Sequence, residues 1–362
     1  LEDSKSLVLK SMLVWYERGK TIYTKRRPVT LDPKYHYAYE IRDDKMYIPV
    51  GLYSLLSEVF TLDTEIIDNR IIRNSKLLET KEIESHIFDY ADILGNGITL
   101  RKEQLMACRK ILHSRRGIIN AATGFGKTEV ICATVKLLEL INDETIPTTL
   151  VFEPTVKLVN DTVKRLRDYG IDAVAYSKNR EIKPNTVNVA HPKSLGNDLQ
   201  NIPELLESVE VLFGDETHHM VCDTYRIPTY EMPSLLYSIG VSASAISQEH
   251  VNNTKLSQYS YNEALVIGAT GPLLLNITAD YLISKGDLAR PILLRMAHKA
   301  DEEIAYKART DWHEVSKIKL NSDKRNHLVA MVAESFAVRG RKVLILVNTI
   351  EWSQRLLQIF NA

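Results

Sequence analysis

The segment AATGFGKTEV (residues 121–130) constrains the fold of this chain more than any other feature. An apolar, strand-like run, GIINAA, leads into it, and a helical pattern rich in Val, Ala and Leu follows it. Small residues in such a loop let backbone N–H groups converge on phosphate oxygens, and the helix N-terminus adds positive potential. The spacing A-x-x-x-x-G-K-T therefore predicts a P-loop in which Ala121 stands for the usual first glycine.

A P-loop predicts a site for a nucleoside triphosphate with Mg²⁺. The Lys127 ammonium would neutralise the β- and γ-phosphates, and the Thr128 hydroxyl would be a Mg²⁺ ligand. The other loop residues predicted to contact the nucleotide are Thr123, Gly124, Phe125 and Gly126.

A second acidic element, VLFGDETHH, lies well downstream of the P-loop and places two acids at the end of an apolar strand. At the carboxyl edge of a parallel sheet, Asp215 can hold Mg²⁺, and Glu216 can orient and deprotonate an attacking water. A kinase would need a site for a hydroxyl acceptor, and a GTPase would need elements that recognise guanine; we find neither. Lys127, Asp215 and Glu216 are therefore the predicted catalytic residues of a nucleoside triphosphatase.

The pattern of elements predicts an α/β fold. Buried strands alternate with amphipathic helices such as 129–141 and 155–169, which is typical of a doubly wound, mainly parallel sheet. The predicted strands are Gly117–Ala122, Thr149–Pro154, Val187–His191, Glu210–Glu216 and Leu236–Ser244. We expect this domain to span residues 97–286.

The two ends of the chain have different patterns. Residues 1–96 are rich in Tyr and charge and predict a small α+β domain with short antiparallel strands and a helix at 51–60. Residues 287–362 contain a helical pattern at 324–338 and one strand pattern at 342–348, too few strands for a closed core. We expect the chain to stop inside its final domain.

Composition indicates an ordinary globular protein. Lys and Arg number 46, as do Asp and Glu, so there is no overall basic bias, although a local basic groove is compatible with a neutral total. The 3 cysteines form no CxxC pair or disulfide framework, and no apolar run approaches the roughly 18 residues of a membrane span. We expect a protein of the cytoplasm with no membrane partner, and a buried, inert Cys222.

At these motifs the chain resembles superfamily 2 helicases. Asp215-Glu216-Thr217-His218 resembles their DExH box, and residues 121–128 resemble their motif I. The resemblance covers residues 97–362 and implies a RecA-like first motor domain, the start of a second RecA-like domain, ATP and Mg²⁺ as ligands, and DNA or RNA as partner.

Further segments match family motifs in the expected order. LRKEQ resembles the element before motif I, which implies that Arg101 and Gln104 help to bind ATP, the glutamine at adenine. FEPTVKLV resembles motif Ia, VAHPKSL motif Ib, GVSAS motif III and LILVNTIEWSQRL motif IV. The resemblance implies that His218, Ser242 and Ser244 couple the nucleotide to the nucleic-acid side.

The chain also departs from the family pattern. Motif Ib has His191 where Thr is usual, and motif III has Ser-Ala-Ser, which keeps both hydroxyls. Motifs V and VI are missing, so no arginine finger is assigned, and we expect the chain as given not to complete a normal hydrolysis cycle. Within the superfamily, MYIPVGLYSLLSEVF and the segment 267–293 resemble phage recombination helicases of the UvsW type, relatives of XPB and RecG.

Two groups of residues are predicted to bind nucleic acid. Those of motifs Ia and Ib follow strands of the sheet and suit backbone phosphates: Thr155, Lys157, Lys193 and Ser194. The second group lies in RGKTIYTKRR, which carries no acid, and comprises Arg18, Lys20, Lys25, Arg26 and Arg27. A solvated edge strand is the alternative for this basic segment. His218-His219 lacks further ligands at zinc spacing, so we reject a metal site there.

We expect an ATP-dependent DNA helicase or translocase, phage-encoded, that acts on single-stranded, forked or branched DNA in recombination, repair or replication. The alternatives are an RNA helicase, a restriction-type translocase subunit, and an ATP-dependent nucleic-acid clamp that does not unwind. Polarity, the choice between DNA and RNA, the preferred junction and the oligomeric state stay open.

Overall fold

The computed structural model describes residues 12–17, 21–23, 28–30, 34–42, 45–56, 67, 70–176, 181–199, 203–293 and 322–360. Its strands are β1 (Val14–Glu17), β2 (Thr21–Tyr23), β3 (Pro28–Thr30), β4 (Lys34–Tyr37), β5 (Glu40–Arg42), β6 (Lys45–Tyr47), β7 (Arg116–Ala121), β8 (Thr149–Phe152), β9 (Ala173–Ala175), β10 (Val187–Ala190), β11 (Val211–Asp215), β12 (Tyr237–Ser242) and β13 (Leu273–Ile277).

The α-helices are α1 (Tyr53–Leu56), α2 (Lys81–Ser85), α3 (Lys102–Ser114), α4 (Lys127–Ile141), α5 (Val156–Asp168), α6 (Pro192–Leu199), α7 (Asp223–Tyr230), α8 (Tyr261–Thr270), α9 (Ala279–Lys285), α10 (Asp323–Val338) and α11 (Ile350–Phe360). Short 3-10 helices cover Val50–Leu52, Lys76–Leu78, Ile87–Tyr90, Pro203–Leu206, Thr217–Val221 and Leu256–Gln258.

A seven-stranded sheet with the order β13-β7-β12-β11-β8-β10-β9 forms the centre of the fold. All of its neighbouring strands are parallel, which confirms the predicted doubly wound α/β sheet, and each of the five predicted strands is present. Strands β8 and β12 are buried along their whole length, as expected for parallel strands covered by helices on both faces. Strands β9 and β13 were not predicted.

Alternate side chains of the sheet enter two separate cores. Val151 and Phe213 belong to the core that includes residues of α3, α4 and α5. Leu150, Phe152 and Leu212 belong to the other core, which includes residues of α8. Side-chain direction alternates along a strand. Glu153, which follows β8, and Asp215, which ends β11, therefore lie on the face of the sheet that α4 and α5 cover.

The segment before residue 97 contributes to the core of the sheet domain. Leu52, Leu56 and Leu77 are fully buried, and the Tyr237 hydroxyl donates a hydrogen bond of 2.7 Å to the Leu77 carbonyl. Gly51 lies so close to α8 that a Cβ there would be 2.0 Å from the carbonyl oxygen of Ile267. The division at residues 96 and 97 into separate domains stays a prediction. The predicted helix at 51–60 is α-helical over 53–56, and its remainder lies outside the described residues.

Short antiparallel pairs occur near the N-terminus, as predicted: β2 with β3 and β5 with β6. By contacts the chain divides into two compact units, residues 1–16 with 35–290 and residues 17–34 with 291–362. In the second unit the predicted helix at 324–338 is confirmed as α10, and the indole of Trp352 on α11 donates to Asn326 on α10 at 3.0 Å.

The predicted strand at 342–348 is wrong. Residues 341–347 take up no regular structure, and no described strand pairs with them. The side chains of Leu344 and Leu346 are more than four-fifths exposed. An apolar run forms a strand only where a neighbouring strand supplies its hydrogen bonds, so the pattern alone was insufficient.

Candidate nucleotide site and nucleic-acid face

The predicted P-loop connects β7 to α4. Gly124 and Gly126 have φ angles of +89° and +83°, a backbone region that other residues rarely adopt. Phe125 between them is fully buried, and its N–H donates to the Ala122 carbonyl at 3.1 Å, which anchors the loop. The first N–H groups of α4 have no partner within the helix and carry its positive dipole end, so the loop is built to bind an anion.

Two side chains from the start of α3 hold this loop. The Gln104 amide donates to the Phe125 carbonyl at 3.0 Å and accepts from the backbone N–H of Arg101 at 2.8 Å. The Arg101 guanidinium donates to the carbonyls of Gly124 and Phe125 and pairs with Asp287 at 3.2 Å. Both residues therefore contact the predicted P-loop, and the adenine contact of Gln104 stays a prediction.

Lys127 and Thr128 are the first two residues of α4. The Lys127 ammonium is 3.4 Å from the carbonyl of Ala121 at the end of β7, so it points back across the loop. Both side chains are partly exposed at the carboxyl edge of the sheet, where a nucleotide would meet them.

Asp215 ends β11 and Glu216 follows it in the left-handed region, at φ +48°. This turn lets the Glu216 N–H donate to Oδ1 of Asp215 at 2.9 Å. Burial raises the pKa of the Asp215 carboxyl. The hydrogen bond from the Glu216 N–H lowers that pKa, and the charge of the neighbouring Glu216 carboxylate raises it. The strand edge thus presents two adjacent carboxyls, as the sequence predicts.

Motif III meets the DExH segment through Ser242 at the end of β12. The Ser242 hydroxyl donates to Oε2 of Glu216 at 3.3 Å and accepts from the N–H of Ser244 at 3.2 Å. Nδ1 of His218 lies 3.0 Å from that hydroxyl and 3.3 Å from Oε2 of Glu216. The structure therefore brings together the three predicted coupling residues and the predicted base, although Ser244 contributes its backbone.

The structure adds Glu153, which the sequence did not single out. It follows β8, is 1% exposed, and lies one residue beyond the register pair of Phe152 with Gly214, which places it opposite Asp215. Oε1 accepts from the Thr162 hydroxyl at 2.6 Å, while Oε2 has no hydrogen-bond partner among the described residues. Burial, and then the charge of Asp215, raises its pKa to about 7. A charged residue directly after the strand TLVF, three of whose four residues are apolar, was the available signal.

The predicted contacts of motifs Ia and Ib lie at the starts of the helices that follow β8 and β10. Thr155, Lys157, Lys193 and Ser194 are all exposed, and the Thr155 hydroxyl caps α5 by accepting from the N–H of Leu158 at 3.2 Å. They share the carboxyl edge of the sheet with the acids. The basic residues predicted near the N-terminus (Arg18, Lys20, Lys25, Arg26 and Arg27) lie outside the described residues.

Magnesium fits the donor set at this edge. The hydroxyl of Thr128 and the carboxylate of Asp215 are the hard oxygen ligands that Mg²⁺ takes, and Glu153 adds a buried carboxyl oxygen that has no hydrogen-bond partner among the described residues. Within the part of the chain that the structure describes, no group of three or more His, Cys, Asp or Glu residues is arranged to hold a metal ion by itself.

Two smaller findings concern the surface. Cys222 is exposed, so the expectation that it is buried is wrong; it is the single residue between a 3-10 helix and α7. Among the described helices, none is both long and apolar enough to cross a membrane.

The sheet order, the P-loop after β7 and the Asp-Glu-x-His edge after β11 together define a RecA-like motor domain. In its motifs and sheet order the chain resembles superfamily 2 helicases of the DExH type, a class of ATP-dependent helicases and translocases that act on nucleic acid.

Comparison with known proteins agrees with this class. Residues 97–246 match the family described as type III restriction enzyme, res subunit. The DNA 3'-5' translocase XPB2 of Sulfurisphaera tokodaii is 23% identical over 331 residues, which cover 80% of this chain and 70% of that protein.

Two crystal structures of the UvsW helicase from bacteriophage T4 are similar to this chain. One is 15% identical with a TM-score of 0.49 and covers 99% of this chain and 69% of its own. The other is 14% identical with a TM-score of 0.46, with 66% and 82% covered.

Proposed function

We propose that this protein hydrolyses ATP to translocate on DNA and that it unwinds or branch-migrates forked and branched DNA in recombination, repair or replication. The observation that carries the proposal is the pair of contacts to Glu216, a hydrogen bond from the Ser242 hydroxyl and the approach of His218 Nδ1 to 3.3 Å, at the sheet edge where the P-loop begins. DNA as substrate is supported by the relative from Sulfurisphaera tokodaii, whose name is that of a DNA translocase.

The hydrolytic step follows from the position of Glu216. Its carboxylate accepts a proton from a water whose oxygen bonds to the γ-phosphorus, while the bond from that phosphorus to the β–γ bridging oxygen breaks and ADP leaves. Ser242 and His218 keep the carboxylate oriented, and Lys127 offsets the charge of the phosphates. When bound between Thr128 and Asp215, Mg²⁺ would supply further neutralisation of the phosphate oxygens.

DNA would lie along the loops after β8 and β10. The hydroxyls of Thr155 and Ser194 and the ammonium groups of Lys157 and Lys193 suit backbone phosphates, which gives binding with little sequence preference. We further propose, from its composition alone, that the basic segment near the N-terminus contacts the junction or a duplex arm.

A restriction-type translocase subunit is a second candidate, because residues 97–246 match the res-subunit family. Such a subunit moves along duplex DNA and need not separate strands. A strand-displacement measurement therefore distinguishes the two candidates.

The test is displacement of a labelled strand from forked DNA, and from a matched fork made of RNA, by the full-length protein with ATP and Mg²⁺. We expect displacement from the DNA fork and none by the Lys127→Ala variant. ATP hydrolysis on duplex DNA without displacement would favour the restriction-type translocase, and displacement from the RNA fork alone would overturn the choice of DNA.

A further inference from the structure

Four aromatic and imidazole rings form a continuous series across the carboxyl edge of the sheet. The ring centroids of His191 and Tyr225 are 6.5 Å apart and inclined at 66°. Tyr225 stacks on His219 at 5.4 Å and 27°, and His219 lies 4.3 Å from His218. We call these four residues the ring series. It begins in motif Ib and ends beside Glu216.

The first ring, His191, is placed to bind a phosphate. Its Nδ1 accepts a hydrogen bond of 3.2 Å from the N–H of Lys193, which assigns the proton of the neutral ring to Nε2. Nε2–H is then a donor at a loop whose neighbours Lys193 and Ser194 are exposed. A histidine here therefore supplies the donor that the usual threonine of motif Ib supplies by its hydroxyl.

The last ring, His218, contacts the catalytic carboxylate. Its Nδ1 lies 3.3 Å from Oε2 of Glu216 and 3.0 Å from the Ser242 hydroxyl. A shift of this ring changes the position of the group that is proposed to take the proton from water.

Tyr225 connects the two ends. It lies on α7 and its ring also meets the fully buried ring of Phe152 edge-on, at 6.4 Å and 88°, so it is braced against the end of β8. Its ring contacts both His191 and His219, so a displacement of either histidine moves an edge of the contact on the other side of Tyr225.

We propose that Tyr225 is a positioning residue that couples phosphate binding at His191 to the orientation of Glu216 through the ring series. The inference rests on the proposed function, because it requires nucleic acid at motif Ib. Coupling of this kind is a free energy shared by two sites, so each ligand changes the affinity of the other by the same factor.

The test measures that factor without hydrolysis. The affinity of the full-length protein for a labelled single-stranded DNA is measured by fluorescence anisotropy, with and without saturating Mg²⁺ and a non-hydrolysable ATP analogue. For the natural sequence we expect a change of about 5- to 150-fold, the usual range for coupled sites. The variant Tyr225→Leu should bind DNA alone with an unchanged affinity and lose the effect of the analogue, to within about twofold.

Matched variants separate coupling from damage to the fold. Tyr225→Phe keeps the ring and should keep the coupling, and Tyr230→Leu makes the same change at an exposed position of α7 and should keep it too. His191→Ala should weaken DNA binding and lose the coupling, and adding Tyr225→Leu should reduce the coupling no further, because both changes interrupt one series.

The outcomes are distinct. Full coupling in Tyr225→Leu, or additive losses in the double variant, would overturn the role of Tyr225 while leaving the proposed function intact. Absence of DNA binding by the unmodified protein would contradict the proposed function itself, and the coupling with it.

Discussion

The Ser242 hydroxyl at the end of β12 donates a hydrogen bond of 3.3 Å to Oε2 of Glu216, directly after β11. This bond joins two neighbouring parallel strands at the edge where ATP is proposed to bind. It connects motif III to the carboxylate of the DExH segment through one hydroxyl.

Removal of that hydroxyl should slow hydrolysis more than it weakens ATP binding. We expect Ser242→Ala to lower kcat by about tenfold, since a hydrogen bond to a charged group contributes about 1.5–3 kcal/mol. Ser244→Ala is the matched control, because Ser244 contributes its backbone N–H, which alanine retains. Steady-state kinetics of both variants test this; equal losses of kcat would show that the Ser242 hydroxyl has no special role.

Gln104 should matter for the shape of the P-loop. Gln104→Glu replaces the donor to the Phe125 carbonyl with an oxygen, which leaves two acceptors facing each other. We expect ATP affinity to fall by about tenfold, equivalent to about 1.4 kcal/mol. Titration with a fluorescent ATP analogue measures this, and Lys102→Ala, on the exposed side of α3, is the control. An unchanged affinity in Gln104→Glu would refute the role of this amide.

Glu153 should make the stability of the nucleotide-free protein depend on pH. Its folded pKa of about 7 lies above the ordinary value of 4.5, so the folded state binds more protons between these limits. The free energy of unfolding should therefore fall as pH rises from about 4.5 to about 7, by up to about 3 kcal/mol.

Glu153→Gln should remove this part of the pH dependence, because the amide does not ionise. Urea unfolding at a series of pH values from mildly acidic to mildly alkaline gives the free energies for both proteins. The same slope in the variant and the natural sequence would show that another group is responsible.

Gly51 should tolerate no side chain. A Cβ there would be 2.0 Å from the backbone carbonyl oxygen of Ile267, which cannot rotate away. We expect Gly51→Ala to destabilise the protein by about 3 kcal/mol, as overpacking against a fixed backbone does. Gly196→Ala is the control: its Cβ would meet nothing within 4 Å in α6, so a gain of roughly 0.5–1 kcal/mol is expected. Thermal unfolding measures the stability of both variants. A Gly51→Ala variant as stable as Gly196→Ala would contradict the close approach of Gly51 to the Ile267 carbonyl.

The sheet could be predicted from the sequence because its strands are buried on both faces. Strands β7, β8, β10, β11 and β12 are short runs of apolar residues that lie between helical patterns, and each is present. Strand β9 has three residues, and β13 begins directly after the Gly-Pro pair that ends α8, so neither produced a clear signal. The strand predicted at 342–348 is absent although its sequence signal is clear, since its apolar residues lack a partner strand in the described chain.

The sequence predicted those residues of the candidate site whose roles follow from a single local motif. Lys127, Asp215 and Glu216 follow from local spacing, and the structure places all three at one edge. Glu153 and Tyr225 were missed because their surroundings are tertiary. Glu153 is opposite Asp215 only by strand register, and Tyr225 meets two of the three histidine rings of the series only once α7 has folded against the sheet.

The most direct test of the central claim is the rate of ATP hydrolysis by the full-length protein with and without forked DNA, for the natural sequence and for Glu216→Gln. We predict that forked DNA accelerates hydrolysis by the natural protein. In Glu216→Gln, ATP affinity should be retained while the rate falls by about 100-fold or more, as loss of a general base does. Hydrolysis by Glu216→Gln at the natural rate, or a natural rate that no DNA changes, would contradict the account.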